Sequence, residues 1–242
     1  MPHSVKNKII KWIRQQVAGC KARGIVLGLS GGIDSALAAA LCAKAIGPRR
    51  VLGLLIPIES HKQDLLDARL TAQKLKIRTR LVDLSGIYKG LLAVLPAANA
   101  TARANLKPRL RMLTLYYYAN KLNYLVCGTG NKAELSVGYF TKFGDGGCDI
   151  LPLGDLLKRE VRELARQMDI PERIIAKPPT AGLWPGQTDE GEMGVSYADL
   201  DDILARKERG LKQRSSKRAL RHVLGMVKRS EHKRQRPKVC YI

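Results

Sequence analysis

The chain has no apolar run long enough to cross a bilayer: its longest strongly apolar stretch, Ala36 to Ala43, falls far short of the ~20 residues a spanning helix needs. The N-terminus, MPHSVKNKIIKWIRQQ, lacks the apolar centre of a secretory signal, so a cytoplasmic location is expected and a membrane partner is not. Cysteine is scarce and scattered. Cys20, Cys42, Cys127, Cys148 and Cys240 include no C-x-x-C pair, which argues against a zinc knot, an iron-sulfur site or a disulfide framework. They read as reduced thiols, mostly filling the core. Acidic residues are few as well: 21 Asp and Glu stand against 43 Lys and Arg, a formal charge of +22. That excess suits polyanions such as nucleotides, nucleic acid or acidic membrane surfaces, although a merely solvated basic surface has the same composition.

What remains is a globular chain. Its 242 residues, 45% apolar, suffice for one domain with a real core and leave no room for a second catalytic domain of ordinary size. Four short segments bounded by turn residues read as buried strands: Ile25 to Leu29, Val51 to Ile56, Arg78 to Leu84 and Tyr124 to Cys127. Helical patterns lie between and after them at Ser35 to Ile46, His61 to Lys76, Leu110 to Leu122 and Leu156 to Met168. Strands alternating with helices predict an α/β fold, a doubly wound parallel sheet with helices on both faces and ligands at the carboxyl ends of the strands. The stretch KPPTAGLWPGQTDEGEMG is rich in Pro and Gly, which forbids regular structure and predicts an active-site lid over residues 181–194. The remainder from Ser196 reads as helical, closes in a basic segment, residues 211–242, and contains no internal repeat.

The sharpest local signal is GLSGGIDS, running through Gly28, Leu29, Ser30, Gly31, Gly32, Ile33, Asp34 and Ser35, between a strand and an Ala-rich helix. Glycines let backbone approach a phosphate, the helix N-terminus points N–H groups at it, and Ser30 and Ser35 add hydroxyls. Asp34 is out of place beside an anion unless a cation lies between, which implies magnesium bridging carboxylate and phosphate. An isolated Gly-Gly turn before a helix is more often a plain connection, and the G-K-[ST] ending of a Walker loop is absent. The whole string S-G-G-x-D-S resembles the loop of the N-type ATP pyrophosphatases, which activate substrates by adenylation.

Downstream residues choose among that group's members. GTGNKAELSVGYFTKFGDGGCDILPLGDLLKREVRELA from Gly128, KPPTAGLWPGQTDEGEMGVSYADLDDIL and EHKRQRP together resemble NAD synthetase over nearly their whole length. The resemblance implies an adenine nucleotide alpha hydrolase-like fold and ammonia-dependent amidation of deamido-NAD to NAD, the last step of NAD biosynthesis. The reaction would pass through an NAD-adenylate and release AMP and pyrophosphate. By the same resemblance Thr129, Lys158 and Thr180 would join the loop in contacting ATP, and Asp34 and Glu134 would hold magnesium. Arg109, Lys142, Asp149, His232 and Lys233 would bind deamido-NAD, whose phosphates and carboxylate call for cations. On pattern alone Glu134 also fits a helix-start carboxylate, Lys158 an exposed helical lysine, and His232 and Lys233 a basic surface.

Where many ammonia-dependent members read G-T-D-H-A-A-E, this chain reads GTGNKAE, a form also found in glutamine-dependent branches. No convincing covalent nucleophile is present, so free ammonia, or ammonia from a separate glutaminase, is the expected donor. Similar enzymes are homodimers, and Tyr116, Tyr117 and Tyr118 suit either such a contact or the core. A tRNA-modifying pyrophosphatase would use the basic C-terminus on RNA, but it lacks support from C-x-x-C pairs, and nucleic acid is not an expected partner. A regulatory module that binds nucleotide without turnover would not need both Asp34 and Glu134.

Overall fold

Short β-branched and leucine-rich runs build a parallel sheet, and the helices between them close over it. In this computed structural model residues 3–184 and 186–240 are described; Pro185, inside the expected lid, and Met1, Pro2, Tyr241 and Ile242 lie outside the described residues. The order is α1 (His3–Gly19), β1 (Gly24–Gly28), α2 (Ile33–Ile46), β2 (Val51–Leu55), α3 (Lys62–Leu75), β3 (Arg78–Leu81), α4 (Ser85–Val94), α5 (Ala100–Ala104) and α6 (Leu106–Leu122). Then follow β4 (Tyr124–Val126), α7 (Lys132–Val137), α8 (Lys158–Gln167), α9 (Glu172–Ile175), α10 (Asp189–Met193), α11 (Tyr197–Glu208), α12 (Lys217–Arg229) and α13 (Glu231–Arg234).

The sheet order is β3-β2-β1-β4 with every pairing parallel, so β1, which leads into the phosphate loop, sits inside the sheet. An isolated parallel bridge between Cys127 and Ile150 prolongs it beyond β4. On one face Ile25, Leu27, Val51 and Leu55 pack against α1, α2 and α8 through residues such as Ile13, Leu37, Leu41, Val161 and Leu164. On the other, Val26, Leu52, Leu54, Ile56 and Val126 meet Leu115, Tyr116, Tyr118 and Leu122 of α6. Helices therefore cover both faces. A third apolar cluster joins α7, α11 and α12 through Val137, Tyr197, Leu200, Ile203 and Val223, so the C-terminal third forms a helical flank.

All four predicted strands are present within a few residues of their expected ends. Three readings need correction. β3 is not buried: Arg78, Thr79, Arg80 and Leu81 are all exposed, because the strand lies at the sheet edge. The Pro/Gly-rich stretch is not wholly irregular, since Thr188 caps α10 by accepting from Gly191 N at 3.2 Å and Gly194 ends it in the left-handed region. Cys42 and Cys127 fill the core, but Cys20 and Cys240 are exposed; all five thiols are free. Tyr116 and Tyr118 pack against the sheet, as the core reading has it, while Tyr117 is exposed. Among the described residues no helix is long and apolar enough to cross a membrane.

Gly24 opens β1 where the chain passes close to its neighbours. A Cβ there would run into the carbonyl oxygen of Arg50 and the ring of Tyr124, and the backbone at Arg50 cannot yield without disturbing β2. Gly24→Ala is therefore expected to lower stability by about 1–3 kcal/mol. The drop would appear as a lower urea midpoint with an unchanged m-value.

Candidate active site

The loop after β1 is knotted by its own serines. Ser35 Oγ donates to Gly32 O at 3.0 Å and accepts from Ser30 N at 3.2 Å, while Ser30 Oγ lies 3.0 Å from Ser35 Oγ and accepts from Gly32 N at 3.2 Å. The hydroxyls thus shape the loop instead of standing free. No side chain caps the start of α2, so the N–H groups of its first turn, Asp34 among them, have no capping side-chain acceptor. An uncapped helix N-terminus behind a tight glycine turn is a site for an anion.

Three elements meet in front of it. Lys158, the first residue of α8, is 1% exposed, and its Nζ donates to Asp34 Oδ2 at 2.5 Å and to Glu134 Oε1 at 3.3 Å. Burial works against charge on Lys158, but Asp34 and then Glu134 outweigh it and hold the ammonium well above its ordinary pKa. For Glu134 burial wins: despite Lys158, and with Asp34 adding repulsion, its carboxyl is pushed up to about 7. The ammonium rests over the ring of Tyr197, 4.8 Å from its centroid. Tyr197 OH in turn lies 3.1 Å from Glu134 Oε1 and 3.0 Å from Asp189 Oδ2, with one proton to donate to either, which brings the lid helix α10 to the cluster.

Glu134 is the helix-start carboxylate that its position in the sequence allowed, and it also faces the buried ammonium. Its Oε2 accepts from Asn131 N at 3.1 Å while Asn131 Oδ1 accepts from Glu134 N at 3.1 Å, a reciprocal cap on α7. The other oxygen faces Lys158. Two carboxylates directed at one buried cation form the hard oxygen set that, completed by phosphate oxygens and water, suits magnesium. Among the described residues no group of three or more metal-ligating side chains gathers anywhere. Asp34 and Glu134 could supply two oxygens to a magnesium ion whose remaining positions phosphate and water would fill.

The remaining expected residues fall into two places. Thr129 lies in the turn between β4 and α7, and Thr180 braces the lid, donating to Gln187 O at 2.8 Å and accepting from Gly182 N at 3.1 Å. Arg109, Lys142, His232 and Lys233 gather around the loop after α7. Arg109 Nη2 donates to Lys142 O at 3.4 Å, Lys142 Nζ to His232 O at 2.6 Å, and Lys233 Nζ to Gly138 O and Phe140 O at 2.8 and 2.9 Å. Lys233 is consequently no loose surface cation, and burial lowers its pKa. Asp149 accepts from Tyr116 OH at 2.9 Å and Val126 N at 2.7 Å, which pins it to α6 and β4.

Pattern reading passed over Asn131, Asp189, Tyr197 and Asp201. Asn131 is fully buried and donates to Asp34 Oδ1 at 2.9 Å; its N-x-x-E spacing to Glu134 was the available signal. Asp201 on α11 accepts from the first N–H groups of α8, Lys158 N at 3.1 Å and Arg159 N at 2.8 Å, and so fixes the helix that carries Lys158. No periodicity marks a residue acting from 43 positions away.

Comparison with known proteins agrees with this geometry. Residues 5–237 match the family described as NAD synthase. The chain is 48% identical over 240 residues to an NH3-dependent NAD+ synthetase of Archaeoglobus fulgidus, covering 98% of this chain and 96% of that one. Its structure superposes on an NMN synthetase from Francisella tularensis with a TM-score of 0.93 at 39% identity, covering 100% and 99% of the two chains. It also superposes on an NH3-dependent NAD synthetase from Campylobacter jejuni with a TM-score of 0.87 at 29% identity, with both chains fully covered.

Removing the Lys158 ammonium would leave two carboxylates facing each other in a half-buried space. Lys158→Met is expected to lose about 3–5 kcal/mol of folding stability. Added magnesium should restore more of that loss than it adds to the parent. Urea unfolding with and without the ion checks both, and a parent-like stability would show that the carboxylates do not depend on the ammonium.

Proposed function

Because this chain belongs to the NAD synthase family, we propose that it amidates deamido-NAD to NAD with ATP and ammonia, the closing step of NAD biosynthesis. The observation that carries the reading is the convergence of Asp34, Glu134 and Lys158 before the uncapped start of α2, beside the cationic group around Lys142. The first would hold the ATP phosphates and the second the phosphates of the dinucleotide.

A carboxylate is a poor acyl donor because its leaving group would be oxide. ATP removes that obstacle: the substrate carboxylate attacks the α-phosphate, pyrophosphate departs, and the acyl-adenylate then loses AMP to ammonia. The N–H groups at the start of α2 and the Lys158 ammonium offset the charge that builds on the phosphates. Asp34 and Glu134 would hold magnesium, which supplies further positive charge against the phosphates and the departing pyrophosphate. Thr129 and Thr180 complete the ATP contacts, and Arg109, Lys142, Asp149, His232 and Lys233 those to deamido-NAD. Closure of residues 181–194 keeps water from the adenylate. Asp189, tied through Tyr197 to Glu134, gives that lid a direct link to the site.

We further propose a homodimer, supported by the exposed apolar side chains Leu81 on β3, Ile87 and Val94 on α4, and Leu113 and Tyr117 on α6. A cytoplasmic place of action is supported by the five free thiols and the need for ATP. One observation favours a second reading of the substrate: the Francisella protein, similar over the whole chain, is named for a mononucleotide product. The reacting acid would be the same, and only the adenylyl half of the substrate would be missing.

Purified protein with ATP and magnesium is to be given deamido-NAD or nicotinate mononucleotide, each with ammonium or with glutamine. The expected outcome is NAD from ammonium alone, AMP and pyrophosphate in equal amounts, and a higher kcat/KM for the dinucleotide. A preference for the mononucleotide would establish the second reading, and amide product from neither acid would overturn both. Asp34→Ala should keep the fold and lose about 100-fold or more in turnover. Near-parental turnover of that variant would remove Asp34 from its role.

A further inference from the structure

Outside the catalytic cluster a second, half-buried charge network lies on the other flank of the phosphate loop. Lys177, between α9 and the lid, donates to Asp64 Oδ1 at 2.6 Å and to Asp67 Oδ2 at 3.0 Å, both on α3. The same Nζ stands 3.5 Å from Gly31 O in the loop. Asp67 is 3% exposed and also accepts from Gln63 Nε2 at 3.0 Å and Arg173 Nη2 at 2.7 Å. Burial would raise its pKa, yet the hydrogen bonds from Lys177 and Gln63 hold it below the usual range. One ammonium therefore ties together the phosphate loop, the start of α3 and the root of the lid.

The backbone makes this junction exacting. Gly31 has φ +81°, and a Cβ there would run into the carbonyl oxygen of Asp64, so loop and α3 already touch without room for a side chain. In a trans peptide the carbonyl and the following N–H point in opposite directions. Attraction of Gly31 O toward Lys177 thus turns the Gly32 N–H to the other side, where it donates to Ser30 Oγ at 3.2 Å and so helps hold the loop's shape. A carbonyl turned toward an incoming phosphate would repel it, and Lys177 holds this one away. Three residues further on Thr180 begins the hydrogen bonds that brace the lid.

We propose that Lys177 is a positioning residue for the nucleotide: it sets the Gly31–Gly32 peptide for phosphate binding and couples the root of the lid to the filled loop. ATP binding and lid ordering then become one event. The inference rests on the reading of Ser30 to Ser35 as the ATP loop, but not on the identity of the acid substrate.

The lid carries its own reporter, Trp184, and Trp12 on α1 is the other tryptophan in the sequence. In a Trp12→Phe background Trp184 fluorescence is to be followed during titration with ATP and magnesium, with no second substrate present. The parent should bind with a change in Trp184 emission. Lys177→Met should weaken ATP binding about tenfold and suppress that change, and Lys177→Arg should recover most of both. In turnover the KM for ATP should rise about tenfold while the KM for the acid substrate stays within about twofold.

A folded Lys177→Met protein with parental ATP affinity and parental Trp184 response would overturn the proposal. If that variant does not fold, Asp64→Asn decides: weaker ATP binding with a blunted Trp184 response supports the coupling, and parental behaviour refutes it. A parent that binds ATP but makes no NAD would count against the proposed reaction only, because the titration contains no acid substrate. A parent that binds no ATP would overturn both readings.

Discussion

One ammonium group holds together the ends of three helices. Lys158 opens α8, Asp34 opens α2 and Glu134 lies in the first turn of α7; without the charge between them, two carboxylates would sit close together beneath a tyrosine ring. The cation is itself held from behind, because Asp201 reaches across from α11 to occupy the first N–H groups of α8. Electrostatics here sets geometry. Each helix start contributes a group that the other two need, so the phosphate loop, the turn after β4 and the C-terminal flank cannot drift independently.

Topology supplies the meeting place. β1 and β4 are neighbours in a parallel sheet, so the loop that follows β1 and the turn that follows β4 emerge side by side at the carboxyl edge. α6 then carries Arg109 near its start and Tyr116 two turns on, which sets the cationic group and Asp149 along one helix beside the nucleotide end. The two groups of residues thus share α7: Glu134 faces Lys158, and the loop that begins at Gly138 receives Lys233. The lid enters from α10, where Asp189 is reached by Tyr139 and Tyr197 at 3.0 Å each.

The parts readable in the chain were those with local rules. β1 and β2 are apolar runs between turns, α2 follows a glycine loop, and the string from Gly28 to Ser35 carries its chemistry in adjacent residues. β3 was found but misjudged, since Arg78-Thr79-Arg80-Leu81 has strand character without the burial that a central position would bring. α1 went unnoticed: its apolar stripe through Ile10, Ile13 and Val17 is diluted by Lys6, Lys8, Lys11 and Arg14. The lid helix was missed because five residues between glycines show no period, although Thr188 and the acids after it form a plain start signal. Roles that depend on distance in sequence left no local trace. Asp201 capping α8 and Tyr197 bridging Glu134 to Asp189 became visible only when the chain was folded.

Glu134 divides its two oxygens between different duties. One closes the hydrogen-bond cap with Asn131 that starts α7, and the other faces the charge at the site. Inheritance follows from that division. Apart from Gln, whose amide oxygen can close the same cap, a chance replacement that blunts the chemistry at this position also frays the helix presenting it, so pressure merely to fold narrows the choice here to the acid or its amide.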